Sequence, residues 1–525
     1  MMLWACLLLS SLPLDVFARA LPPADAAKPF AIATGGRAPR IVSANAGAQA
    51  AGIRPGQLVS ASLALAPDLI LRDRNADAEA AALAAVAAWA TQFTPAVSLA
   101  PPDAVLVEIG GSLRLFGGLP KLATQFSAGA RNFGYEVRLA LAPTPIAALL
   151  FARAETRTGV GHPFSHRLVS PREHREKVAS DPHSGATGEF AANRDFLEAL
   201  APLPLALTDA EPTAVAMLAA AGITTIGQAC ALPRASLARR VGADFVSFLD
   251  RARGLAADPR PPFVPPPRYT GKIELPVPVE NIEALAFAVN RLVHELSGWL
   301  TSRGLGAIEL ALALAHERHV RAKTGVHETN LRFALAAPAR EHAHLIAVLR
   351  ERLARVALPA PAESITLATL TTAPLASRNL GLLPGDEVVA AVPLIDRLRA
   401  RLGEDAVRLV APHAEYRPER AWRESSEARA EPTGKSRSAL DSPNLALPRP
   451  VWLLAEPEPL GHLLEAQPWV LRDGPERIES GWWDGADVRR DYFIAENPRG
   501  ETVWIYHDHR YGIDDGEWFL HGVFA

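Results

Sequence analysis

Hydrophobic and polar positions divide this chain into segments of different period. It opens on an almost unbroken apolar run, Met1 to Leu12 (MMLWACLLLSSL), which predicts a strand buried on both faces. Asp77 to Gln92 (DAEAAALAAVAAWATQ) has the period of an amphipathic helix and begins with two acids, Asp77 and Glu79, that suit a helix N-terminus. Ala104 to Ile109 (AVLVEI) and Val137 to Leu141 read as strands, with Gly110-Gly111 as a hairpin-like turn into SLRLF. Helix and strand therefore alternate over residues 1–160. Thr213 to Leu255 is helical, with Gly222 and Gly227 breaking successive short helices. Residues 268–372 run strand, helix, strand, strand, helix, strand: KIELPV, Ile282–Thr301, AIELALALA, TNLRFAL, Glu341–Val356 and SITLATL. That order predicts one sheet with two helices. A further helix spans Val392 to Leu402, and DYFIAE, TVWIYHD and EWFLHGVFA read as strands near the end.

Composition marks the joints. A chain of 525 residues exceeds one hydrophobic core, since cores stop growing at about 250–300 residues. Asp258 to Pro267 (DPRPPFVPPP) predicts a stiff, extended tether. His162 to Asn193 is polar and reads as a surface insertion; His162, His166, His174 and His183 have no metal-ligand spacing. Residues 417–447 are charged and poor in aromatics, which predicts a flexible linker. Beyond it the aromatic density rises. Seven of the ten tryptophans (Trp422, Trp452, Trp469, Trp482, Trp483, Trp504, Trp518) fall in or near residues 448–525, a small β-rich module.

Charge and cysteines narrow the function classes. The net charge of −3 gives no global attraction for nucleic acid, so any DNA contact rests on local basic patches. Cys6 and Cys230, far apart, form neither a disulfide framework nor a zinc constellation, and suit a reducing cytoplasm. The opening apolar run could pass for a signal-peptide core, and a secreted binding protein is the reading that rests on it. No Lys or Arg precedes the run, however, and it is too short to span a membrane, so the buried strand is preferred. No transmembrane helix is predicted.

Four stretches carry a family resemblance. They are KPFAIATGG (Lys28 to Gly36), IVSANAGAQAAGIRPGQ (Ile41 to Gln57), PDAVLVEIGGSLRLFGG (Pro102 to Gly118) and the segment Gly222 to Gly242. In this order they resemble the lesion-bypass, or Y-family, DNA polymerases over about residues 3–372. The segments LIDRLRARLGEDAV, RPERAW, RRDYFIAE and WFLHGVFA resemble the ImuB-type branch of bacterial mutagenesis proteins. The resemblance implies an α+β multidomain chain. Palm and fingers fill 1–205, with the fingers at about 16–72 and a polar insertion at about 160–194. A helical thumb (206–258), the tether (259–267) and a little finger (268–372) follow. A clamp-binding peptide with a short helical region (373–416), the linker (417–447) and a partner-binding C-terminal domain (448–525) complete it.

The chemistry of that family is missing from the residues that should carry it. Two-metal nucleotidyl transfer needs clustered carboxylates to hold cations about 3.5–4 Å apart. In active members one acid lies on the first strand and an Asp-Glu pair precedes the palm hairpin. Here the first strand, LWACLLLSSL, has no acid before Asp15. Asp103 keeps one position of the pair and Ala104 replaces the other. Glu108 lies about 15 Å along the strand, too far to share a metal. Asp103 reads as a surface turn residue after Pro101-Pro102 in preference to a remnant metal ligand. The Tyr and Arg that grip the triphosphate in the family are Ala46 and Gln49 here, with Asn45 preceding them in register. No catalytic residue, metal or cofactor is therefore expected.

Other family contacts are retained in part. Gly222, Arg239, Arg240, Arg251 and Arg253 in the thumb, and Arg318, Arg321, Lys323 and Arg332 in the little finger, are the candidate DNA contacts. A solvated mixed-charge face explains the little-finger set equally well. Ser377, Leu380, Leu382 and Leu383 form a degenerate sliding-clamp peptide, with Ser377 where the Gln anchor belongs. Trp504, Trp518 and Phe519 are the candidate partner contacts. The resemblance implies DNA, the beta sliding clamp, a RecA-like accessory protein of ImuA type and an error-prone C-family polymerase as partners. The expected role is a non-enzymatic cytoplasmic adaptor in translesion synthesis and the mutagenic DNA damage (SOS) response. The alternative is an active lesion-bypass polymerase with an atypical magnesium site.

Overall fold

The apolar opening run becomes an interior strand, buried as its pattern predicts. In a computed structural model, the structure describes residues 2–22, 24–158, 195–317, 325–375, 388–403, 405–425, 448–461, 468–509 and 517–524. The chain forms two units, 1–401 and 402–525. The first begins β1 (Trp4–Leu8), α1 (Leu12–Ala18), β2 (Phe30–Ala33), β3 (Ile41–Ala44), α2 (Ala46–Ala50), α3 (Val59–Leu65), β4 (Ile70–Asp73) and α4 (Ala76–Ala90). It continues β5 (Val97–Ala100), β6 (Ala104–Glu108), α5 (Leu119–Phe133), β7 (Arg138–Ala142) and α6 (Pro145–Thr158).

The palm sheet has the order β5-β6-β1-β7, all antiparallel. Leu3, Ala5, Leu7 and Leu9 point into one core layer with α1, α4 and α5, while Trp4, Cys6 and Leu8 point into another with α6 and the thumb. Both faces are covered, which is why the strand shows no alternation. Asn75, rather than the two acids, starts α4 by accepting the Ala78 N–H at 3.0 Å; Glu79 is buried and paired with Arg74. SLRLF is not a strand. Ser112 N donates to Ile109 O at 3.0 Å and its hydroxyl to Phe93 O at 2.7 Å, so the chain turns repeatedly until α5. The fingers are a three-stranded sheet, β3-β2-β4.

The thumb is four short helices, α7 (Pro212–Ala220), α8 (Ile226–Cys230), α9 (Arg234–Val241) and α10 (Ala243–Ala252). The little finger has β8 (Thr270–Val279), α11 (Ile282–Arg303), β9 (Leu305–His316), β10 (Glu328–Ala339), α12 (His342–Leu353) and β11 (Ala362–Pro374). Its antiparallel sheet, β10-β9-β11-β8, packs one face on α11 and α12. α13 (Val388–Leu402) is fastened to it by Asp396, which accepts the Ala336 N–H at 2.7 Å and meets His344 at 2.8 Å.

The second unit contains β12 (Leu409–Pro412), β13 (Trp422–Ser425), β14 (Trp452–Pro459), β15 (Val470–Ser480), β16 (Val488–Glu496), β17 (Thr502–Asp508) and β18 (Trp518–Val523). β12 pairs with β13, and the other five form an antiparallel sheet, β14-β18-β17-β16-β15. The expected linker therefore starts too early. Residues 417–425 belong to this fold because Arg417, only 2% exposed, is fixed between Glu415 and Asp484 at 2.7 Å each. A charged sequence reads as solvated until its partners come together.

Candidate functional site

The strand register shows what surrounds Ala104, the position where the family resemblance implies a metal-binding carboxylate. Ala104, Leu8 and Arg138 lie side by side across β6, β1 and β7. Leu8 and Ala104 are buried together with Cys6, Leu106 and Ala140 in the core beneath α6. The row thus offers two apolar side chains and a guanidinium. Among the described residues no group of three or more His, Cys, Asp and Glu could hold a metal.

Asp103 stands just before this row, and its backbone carbonyl accepts the Leu9 N–H at 2.8 Å. Its Oδ1 is buried without a hydrogen-bond partner. Burial pushes its carboxyl above the usual range; the Arg153 guanidinium pulls it back and the Asp209 carboxylate pushes it up again. Arg153 is itself paired with Asp209 at 2.7 Å. Glu108 has a structural task, accepting the N–H groups of Leu3 at 3.3 Å and Gly110 at 2.9 Å. Asp15 lies on α1, where its Oδ2 accepts the Glu136 N–H at 3.4 Å.

Ala46 and Gln49 sit on α2, which Asn45 caps. The Asn45 Oδ1 accepts the Ala48 N–H at 2.9 Å and the Phe30 N–H at 3.0 Å, and its Nδ2 donates to Lys28 O at 2.7 Å. Gln49 Nε2 is turned back onto Ala44 O at 2.7 Å. The loop keeps its shape through Asn45 while the positions expected to grip phosphate hold a methyl group and a self-bonded amide.

Gly222 is exposed in the turn between α7 and α8, and Arg239 and Arg240 are exposed on the last turn of α9. Arg251 is half-buried, 3.7 Å from Asp258. Arg253 is half-buried beside the Cys230 thiol. The last two are drawn into the thumb rather than presented by it. Arg234 is held bidentately by Asp250 at 2.5 Å. In the little finger Arg332 is exposed on the sheet face away from the helices, opposite Ala311. The next row on that face is Asn330, Ala313, Thr366 and Lys272. Lys272 was not expected; its place opposite the buried Ile273 in the alternation of β8 is the signal that could have found it. Arg318, Arg321, Lys323 and the clamp positions Ser377, Leu380, Leu382 and Leu383 lie outside the described residues.

The expectation for Trp504 is corrected. It is fully buried, its ring stacked 4.0 Å from Tyr492 and close to His521, so it can touch no partner. Trp518 and Phe519 are half-buried, packed on His507 and Tyr506. Among the described residues the exposed Trp and Tyr rings are Tyr416, Trp422, Trp452, Trp482 and Trp483. Asp484, next to the tryptophan pair, is gripped by Arg417 and Arg420 at 2.7 Å, which fixes the turn that carries them.

Palm, fingers, thumb and little finger in this order, with an extra β-sheet unit, give the body plan of a Y-family polymerase-like chain, and residues 16–153 match the impB/mucB/samB family. Over 503 residues the chain is 29% identical to Protein ImuB of Caulobacter vibrioides strain NA1000 / CB15N, spanning 90% of this chain and 100% of that protein. Protein ImuB of strain ATCC 19089 / CIP 103742 / CB 15 matches to the same extent. The chain is thus similar to Protein ImuB over most of its length, and its first unit carries the impB/mucB/samB match. Among solved structures, DinB from Sulfolobus solfataricus is similar at 13% identity with a TM-score of 0.37, covering 70% of this chain and 98% of that one. No helix among the described residues is long and apolar enough to cross a membrane.

Proposed function

We propose that this chain is a non-catalytic, cytoplasmic adaptor in error-prone DNA damage tolerance. It links DNA, the beta sliding clamp, a RecA-like accessory protein of ImuA type and an error-prone C-family polymerase. The observation that carries this reading is the row Ala104, Leu8, Arg138, which has no carboxylate and one cation where two divalent metals need clustered anions. Ala46 and Gln49 support it independently, since neither can bond phosphate as an Arg fork does. DNA contact falls to Arg239 and Arg240 and to the open sheet face with Arg332 and Lys272, through backbone phosphates and without sequence readout. The clamp peptide follows directly on β11, whose last residue is Pro374. Several weak contacts on one chain raise effective concentration without any one being tight.

Primer extension by the purified protein, in magnesium and in manganese, tests the reading against an active polymerase built on Asp103. No extension in either metal is expected. Extension that disappears in Asp103→Ala would establish a working metal site and remove the adaptor reading. Leu380→Ala with Leu382→Ala is expected to abolish clamp pull-down while the fold persists; unchanged pull-down would end the clamp assignment.

A further inference from the structure

The proline-rich segment between thumb and little finger reads as a spacer, yet it is fastened on both sides. Phe263 N donates to Val97 O of the palm at 2.7 Å, and the Ser98 hydroxyl donates to Pro261 O at 2.7 Å. The Trp299 indole of α11 donates to Pro266 O at 3.3 Å, and Arg303 donates to the same oxygen at 3.2 Å. The Phe263 ring packs against both the palm core and the little-finger core.

The bodies beyond that segment also interlock. The Trp89 indole of α4 fits between Gly129 of α5 and Gly298 of α11. A Cβ on Gly298 would stand 2.6 Å from Trp89 Cδ1, and one on Gly129 would stand 2.1 Å from Cζ2. Arg291 of α11 donates to Arg131 O and Asn132 O at 2.9 Å, carbonyls of the last turn of α5. From the fingers, Arg72 donates to Pro276 O at 2.7 Å and Leu275 O at 3.2 Å on the little-finger strand β8.

At the centre lies an ion pair between Arg19, just after α1, and Glu295 of α11, with side chains 5% and 3% exposed. Arg19 also donates to Lys272 O at 3.2 Å and lies 4.9 Å over the Tyr135 ring. The other Glu295 oxygen accepts from the Tyr269 hydroxyl at 3.4 Å. Each charge comes from a different domain and each is desolvated by the other's domain. Removing either partner while the domains stay docked would leave the other charge buried and unpaired, which is the costly half of burying an ion pair.

We infer that palm, fingers and little finger form one locked body in the free protein, keyed by Arg19 and Glu295, with residues 261–266 acting as a brace. The little-finger sheet, as far as the end of β11, then keeps a fixed position relative to the palm before any partner binds. This holds whether or not the chain synthesises DNA.

Hydrogen exchange on the full-length protein tests the inference. In the wild type the Phe263 amide is expected to exchange slowly, and residues 256–268 to resist protease. Glu295→Ala is expected to speed Phe263 exchange by about tenfold or more through local opening, with amides of β1 and β9 still protected. Should that variant fail to fold, Glu295→Gln, which keeps the shape and removes the charge, is expected to shift Phe263 in the same direction. Arg19→Leu with Glu295→Leu is expected to restore slow exchange, because an apolar pair can replace a buried ion pair. Fast wild-type exchange at Phe263, or a rate unchanged by both Glu295 variants, would overturn the lock.

Discussion

Trp504→Ala is expected to unfold the C-terminal unit while residues 1–401 melt as before. The side chain is fully buried against Tyr492, Tyr506, Ile478 and Val488, in a unit whose core divides into two small clusters. Removing a buried Trp costs about 3–5 kcal/mol, since the lost transfer energy is joined by an unfilled cavity. A domain is stable by about 5–15 kcal/mol in total, so that loss takes most of a modest reserve. The indole N–H has no hydrogen-bond partner, so Trp504→Phe is expected to cost much less. Trp482→Ala, on an exposed turn, is expected to leave melting unchanged. Calorimetry on the three variants checks the order. An equal loss for Trp482→Ala and Trp504→Ala would contradict the assignment of one ring to the core and the other to the surface.

Asp15→Asn is expected to stabilise the first unit at alkaline pH and to leave it unchanged in acid. Burial pushes the Asp15 carboxyl up to about 7, the Glu136 N–H opposes this, and the Glu136 carboxylate adds to it. In the unfolded chain the group titrates near 3.9. Below about pH 4 it is protonated in both states and costs nothing. Between about pH 4 and 7 the unfolded chain ionises in water while the buried carboxyl stays protonated, so stability falls across that window and levels off above 7, where the folded state also carries the charge. Roughly three pKa units correspond to about 4 kcal/mol, and relaxation around the charge reduces the gain to about 2–3 kcal/mol. Asn keeps an oxygen for the Glu136 N–H and carries no charge. Urea unfolding at pH 4 and pH 8 reads the difference. A gain of the same size at both would mean that ionisation of Asp15 is not its source.

Much of this architecture was legible because short periods report local geometry. The little finger followed its expected order from KIELPV to SITLATL, since each strand buries alternate residues against two helices. SLRLF has the same alternation and is a series of turns, because the Ser112 bond to Phe93 depends on a residue 19 positions earlier. The candidate site positions were readable as residue identities: Ala104, Ala46 and Gln49 carry neither a carboxylate nor a guanidinium in any fold. That Arg138 completes the row beside Leu8 follows only from register. Aromatic density located the C-terminal unit but could not sort Trp504 from Trp482, since both faces of β17 are covered and its alternation is lost. Arg19 and Glu295, 276 residues apart, left no trace in composition or period.

The brace has a second consequence, which concerns what the palm sheet offers to other chains. β5 is an edge strand, bonded to β6 on one side only. An open edge of apolar residues is a template on which a foreign strand can add, and β5 reads Val97, Ser98, Leu99, Ala100. The segment lying along that edge contains Pro261, Pro262, Pro265, Pro266 and Pro267, none of which has an N–H to give to a newcomer. Its bonds to Val97 and Ser98 occupy the edge with a strip that cannot propagate pairing. The same residues that hold two domains together therefore insulate the sheet against edge-to-edge aggregation.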